Sequence, residues 1–209
     1  MTRPLVIAHR GASGYLPEHT LPAKALAYGQ GADFLEQDVV ATRDGALIVF
    51  HDLWLDAVTD VRERFPGRAR ADGRHYCIDF DLGELRTLRV VERMRLDSGT
   101  PRFPGRFART AGGFPIVTLE EELRFIAGLN RTTGRSVGIY PEIKEPAWHR
   151  EQGIELGDRL LEVLAAAGAA FPPASVFVQC FDPAELARLH AAGCRLPLVQ
   201  LIEADAGVP

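Results

Sequence analysis

FLEQDVVATRDGALIVFH, residues 34–51, contains two apolar runs that each end in ionisable side chains. FLEQD (34–38) carries Glu36 and Asp38, and ALIVFH (46–51) ends on His51. Two further runs behave alike: LVIAH (5–9) ends on His9 and SVGIYPE (136–142) ends on Glu142. Read as parallel strands of an α/β barrel, all four point the same way, so their C-terminal ends converge on one face. Strand alternation puts Glu36 and Asp38 on the same side, with Gln37 opposite. An apolar strand exit is a costly place to gather like charges unless something neutralises them. Three carboxylates suit a hard cation such as Ca²⁺ or Mg²⁺ better than zinc. His9 and His51 would flank that cation as two proton carriers. The convergence argues for an enzyme.

Outward from this stretch, strands alternate with helices, the pattern of a parallel sheet. The spacing predicts a helix over about 20–30, with Pro22 in its first turn, and another opening at Thr118 with Glu121 as its capping-box partner. A third covers about 151–167. A strand at 175–181 follows, then a helix capped by Asp182 with Pro183 behind it, and a last strand at 196–202. The expected fold is a TIM-type (β/α) barrel spanning 1–209 as one domain, with an insertion at about 53–115. Six strands are counted where such a barrel needs eight, and the chain stops just after the sixth, at Val208 and Pro209. The last one or two βα units therefore look absent, and an open barrel would expose strand edges that invite self-association. Within the insertion, RERFPGRAR (62–70) and PRFPGRFAR (101–109) stand out. It reads either as a solvated surface loop or as a small subdomain at the substrate mouth, whose arginines attract an anionic substrate.

Bulk properties narrow the classes. The chain has 209 residues, 46% of them hydrophobic, so it can bury a core as one domain. Its net charge of −4 speaks against a nucleic-acid binder. No apolar run is long enough to span a bilayer. The first strand starts at once, without room for a signal peptide, so the chain as given reads as cytoplasmic, or as periplasmic if its start is internal to a longer precursor. Cys77, Cys180 and Cys194 lack metal-type spacing and read as reduced thiols.

HRGASGYLPEHT (9–20), EQDVVATRDGALIVFHD (36–52) and YPEIK (140–144) resemble the signature segments of the glycerophosphodiester phosphodiesterase family. VTD (58–60), ERFPGRAR (63–70) and QCFD (179–182) further resemble its bacterial GlpQ-type branch, which is typically periplasmic. The resemblance implies a TIM-type barrel that hydrolyses glycerophosphodiesters to glycerol 3-phosphate and an alcohol, using a divalent metal, usually Ca²⁺ or Mg²⁺. By the same resemblance Glu36, Asp38 and Glu142 are metal ligands, His9 and His51 the acid–base pair, and Arg10 and Lys144 phosphate-site residues. Gln179 and Phe181 leave the fifth strand and would line the pocket. Glu18 is expected to orient Arg10 or His9, Asp52 to fix a turn, and His19 to have a structural role, since many relatives carry PENT where this chain has PEHT. Trp54, Trp148 and His149 read as packing or rim residues, and His75 and His190 as surface. Gly11 and Gly14 serve either close backbone approach to a ligand or plain turn-making. Two rivals remain: an inactive truncated fragment and a non-catalytic binding protein.

Overall fold

β2 (Phe34–Ala41) is the spine of the protein, with all eight residues buried in the computed structural model, which describes residues 3–203. It pairs in parallel with β1 (Ile7–Ala8) on one side and with β4 (Gly138–Ile143) on the other. The sheet continues in parallel through β5 (Val178–Cys180) to β6 (Leu198–Gln200). Strands buried on both faces read as near-continuous apolar runs, and β2 follows that pattern except at Glu36, Gln37 and Asp38.

β3 (Leu47–Val49) departs from the expectation. It runs antiparallel to β2, with Val39 opposite Val49 and Ala41 opposite Leu47. The reason is the length of the connection. A parallel crossover needs a dozen residues or more, whereas the link here is a short turn with Gly45 at φ +80°. In that turn the Thr42 hydroxyl donates to Asp44 and accepts the Ala46 N–H. The run therefore folds straight back as a hairpin. Of six expected barrel strands, five are parallel, so the described residues form a half-barrel with five of the eight strands of a closed (β/α)₈ barrel. β1 and β6 are the sheet's edges, and Leu5, Val6 and Ile7 at and beside β1 are 43–66% exposed. The chain end at Val208 and Pro209, and the outer limits of the 1–209 domain, lie outside the described residues.

The caps predicted at Thr118 and Asp182 form, and Thr20 adds a third. Thr20 accepts from the Ala23 N–H at the start of α1 (Leu21–Gly29). Thr118 and Glu121 close a reciprocal capping box on α2 (Leu119–Thr133). The helix expected over 151–167 starts later, as α4 (Leu156–Ala167), and Gly153 (φ +83°) separates it from a short α3 (Pro146–Glu151) that the sequence reading did not include. Asp182 caps α5 (Pro183–Ala191) by accepting the Ala184 and Glu185 N–H groups. These helices cover the outer face of the sheet, where Leu35 and Val39 of β2 pack with Leu123, Ile126, Leu160 and Leu189.

Gln37 shares that outer face, as the alternation predicts. Its side-chain N–H donates to Glu122 at 2.9 Å, and its oxygen accepts from the Tyr140 N–H. Glu122 also meets the fully buried Lys24 at 2.9 Å, and Lys24 donates to the Glu36 carbonyl. A buried polar cluster thus ties β2 to α1 and α2 directly behind the carboxylates.

Residues 53–116 build a lobe of their own rather than a loop. Ile48 and Phe50 of the hairpin pack with Leu55, Phe80, Leu85 and Val90 in a second core. His75, expected at the surface, is buried there: its ring bonds to Asp56 at 2.9 Å and to the Phe65 carbonyl at 3.0 Å.

Candidate active site

The loop after β1 doubles back sharply. Arg10 and His19 both have φ near +60°, and the His19 N–H closes the loop on the Arg10 carbonyl. Non-glycine residues in this region are strained and gather at functional sites. Gly11 (φ +82°) passes so close to α1 that a Cβ would lie 2.9 Å from the Ala23 carbonyl carbon. Gly14 has nothing within 4 Å of its Cβ position, which leaves turn-making as its use.

This bend aims Arg10 at the acids. Its backbone N–H donates to Glu36 at 2.6 Å, and its guanidinium lies 3.2 Å from both Asp38 and Glu18. Asp38 is fully buried and meets His19 Nε2 at 2.8 Å. From β4, Glu142 pairs with Lys144 at 2.6 Å, and the Lys144 ammonium stands 3.7 Å from Asp38. Gln179 on β5 reaches Glu36 at 3.5 Å and the Tyr140 carbonyl at 3.2 Å.

β3 delivers His51 to this face because the hairpin returns alongside Asp38, whose carbonyl accepts the Phe50 N–H. Asp52 does more than fix a turn. Its carboxylate holds His51 Nδ1 at 2.5 Å and receives Arg93 at 2.7 Å. Arg93 continues to Glu18 at 2.6 Å. Arg93, Asp52 and His19 are therefore site residues that sequence reasoning missed or placed elsewhere. Glu18 orients Arg10, as expected.

A cavity of about 1180 Å³ opens over these groups. His9, Arg10, Glu36, His51, Glu142, Lys144, Gln179 and Phe181 all line it, and Asp38 lies buried beneath. Trp54 also lines it, while Trp148 stacks on Tyr76 and His149 is buried, so these serve as rim and packing.

The electrostatics follow from crowding. Burial, and then the Asp38 charge, push the Glu36 carboxyl well above the usual range. Burial would raise Asp38 too, but the His19 hydrogen bond and the His51 and Lys144 charges hold it well below. Glu142 is pushed up to about 7 by burial and by Asp38. Burial and Arg10 push His9 down, which favours the neutral imidazole. These carboxylates want a cation. Asp38 Oδ1 has no hydrogen-bond partner among the described residues. His19, Glu36 and Asp38 each offer a donor atom within 4.8 Å of the others. That grouping differs from the expected trio by containing His19 in place of Glu142. His19 Nε2 is hydrogen-bonded to Asp38, the contact by which a neighbour can fix the orientation of a carboxylate. The oxygen-rich set fits a hard divalent cation.

Residues 9–208 match the glycerophosphoryl diester phosphodiesterase family. The chain is 47% identical over 205 residues to the glycerophosphodiester phosphodiesterase of Haemophilus influenzae, covering 95% of this chain and 56% of that protein. The Treponema pallidum protein of the same name is 46% identical, with 88% and 52% covered. The chain thus spans about half the length of the curated relatives it matches. Among solved structures, a phosphodiesterase from Oleispira antarctica in complex with the product sn-glycerol-3-phosphate is similar with a TM-score of 0.67 at 26% identity, covering 97% of this chain and 68% of that one. A Silicibacter pomeroyi protein assigned to the same family gives a TM-score of 0.77 at 26% identity, covering 98% and 66%. Among the described residues no helix is long and apolar enough to cross a membrane.

Proposed function

The chain belongs to the glycerophosphoryl diester phosphodiesterase family, and we propose that it hydrolyses glycerophosphodiesters to glycerol 3-phosphate and an alcohol. The observation that carries this reading is the placement of His9 and His51 on one cavity, over buried carboxylates and beside Arg10 and Lys144. Glu36, Asp38 and Glu142 would hold Ca²⁺ or Mg²⁺. When bound, the cation neutralises phosphate oxygens and lowers the energy of the charged transition state.

The remaining work falls to the protein's own side chains. Arg10 presents a planar fork to two phosphate oxygens, and Lys144 adds a point charge. His9, held neutral, takes the proton of the attacking oxygen, from water or from a glycerol hydroxyl. His51, oriented by the Asp52 carboxylate, gives a proton to the leaving alcohol oxygen. One P–O bond forms as the P–O bond to the alcohol breaks. Where a glycerol hydroxyl attacks, water then opens the cyclic phosphate by the reverse proton path. The sn-glycerol-3-phosphate bound to the Oleispira antarctica relative supports the product side of this scheme.

The test is release of glycerol 3-phosphate from glycerophosphocholine, with added Ca²⁺ or Mg²⁺ and again after chelation. Metal-dependent release that disappears in His9→Ala supports the reading. Release that persists in both His9→Ala and chelator would overturn it, as would a cooperatively melting, metal-loaded protein that releases nothing.

A further inference from the structure

His9, Arg10 and His51 face a second cavity as well as the first. It measures about 370 Å³ and lies toward the 53–116 lobe, where Arg102, Phe103 and Arg106 form its wall. That volume is in the range of small-ligand sites, roughly 300–1,000 Å³.

Its charges are unevenly matched. Glu18, the carboxylate lining this cavity, is committed to Arg93 and Arg10. Arg93 is in turn matched by Glu18 and Asp52. Among the described residues neither Arg102 nor Arg106 makes an ion pair with a carboxylate, although the Arg106 charge acts on the buried Glu92. The Arg106 side chain donates once, to the Ser13 carbonyl at 3.1 Å, and its guanidinium lies 3.8 Å from the centre of the Phe103 ring. Arg102 stands 5.7 Å from the same ring. Ser13 also donates to the His9 carbonyl at 3.1 Å, so Arg106 is tied through one residue to the loop that carries His9. Two guanidinium groups beside one ring, with most of their donors free, form a ready receptor for a phosphate.

Resting on the hydrolase reading, the scissile phosphate lies at His9 and His51. The glycerol arm bears only neutral hydroxyls, so an anion at Arg102 and Arg106 other than the scissile phosphate belongs to the alcohol arm. We propose that Arg102 and Arg106 form a subsite for a second phosphate on the leaving alcohol. The preferred substrates are then glycerophosphodiesters whose alcohol is itself phosphorylated. The chemistry is unchanged: the alcohol leaves with its own phosphate intact and takes one proton.

The experiment compares kcat/KM of the metal-loaded protein for glycerophosphoglycerol and for the same diester phosphorylated on the terminal hydroxyl of its alcohol arm. The wild type should favour the phosphorylated diester by at least about tenfold, as a charge-assisted contact of ordinary strength provides. That ratio should fall toward one in Arg102→Gln/Arg106→Gln, and shrink at high ionic strength. Arg102→Lys/Arg106→Lys should keep part of it, since the charge stays while the fork is lost. Equal kcat/KM in the wild type, or a preference that survives the double Gln variant, overturns the subsite. A calorimetric titration with glycerol 1,3-bisphosphate and glycerol 3-phosphate reads binding without turnover. If neither diester is cleaved but the wild type alone favours the bisphosphate, the hydrolase reading fails, the leaving-alcohol assignment falls with it, and the arginines are left as a phosphate-binding pair. Cleavage without discrimination sinks the subsite alone.

Discussion

The two faces of β2 bury charge one residue apart, and they do it differently. Behind the strand, Lys24 and Glu122 form one matched pair, with Gln37 bonded to Glu122 and to the Tyr140 N–H. In front, Glu36, Asp38 and Glu142 face Lys144 and an Arg10 that is shared with Glu18. The matched side welds the strand to its helices. The unmatched side pushes Glu36 and Glu142 toward protonation. Burial alone does not separate structural charge from functional charge; the balance of partners does.

Removing charge from the front should therefore hurt activity and spare stability. Glu36→Gln is expected to lower kcat/KM by about 10³-fold, within the range for losing one catalytic contribution. In the metal-free protein its melting temperature should hold or rise, because a repelling carboxylate has gone. A fall in both would place Glu36 with the structural pair. The back should answer in the opposite sense. Lys24→Met leaves Glu122 buried without its cation and should cost about 3–5 kcal/mol in a denaturant titration. Lys24→Met/Glu122→Leu should recover most of that loss, and a double variant no better than the single would break the contrast.

The same strand shows what a sequence discloses and what it hides. Period two places Glu36 and Asp38 together and Gln37 behind them, and the caps at Thr118 and Asp182 are readable because their partners lie within three residues. The direction of β3 escapes the strand-by-strand reading, although Asp44–Gly45 between two apolar runs is a strong hairpin signal and the link is too short for a crossover. His19, Arg93 and His75 are hidden for another reason. Arg93 meets Glu18 across 75 positions, and His75 is buried by a lobe whose core is its own. No local pattern encodes such contacts.

Asp52 gives the smallest effect and the finest division between the faces, since it is matched by Arg93 and also bonded to His51. Its carboxylate is lowered to about 2: burial opposes this, but the His51 hydrogen bond and Arg93 prevail. A depressed carboxylate stabilises the fold above its unfolded value near 3.9, and that stabilisation is lost as pH falls toward 2. The contribution is about 2 kcal/mol at neutral pH by the size of the shift. Asp52→Asn should therefore be less stable than the wild type at pH 7, and the two should converge as pH approaches 2. Its kcat should fall about 10–100-fold, the usual loss when the residue that orients a functional histidine is removed. Lowered stability with unchanged kcat would assign Asp52 to the scaffold and leave His51 to be held by something else.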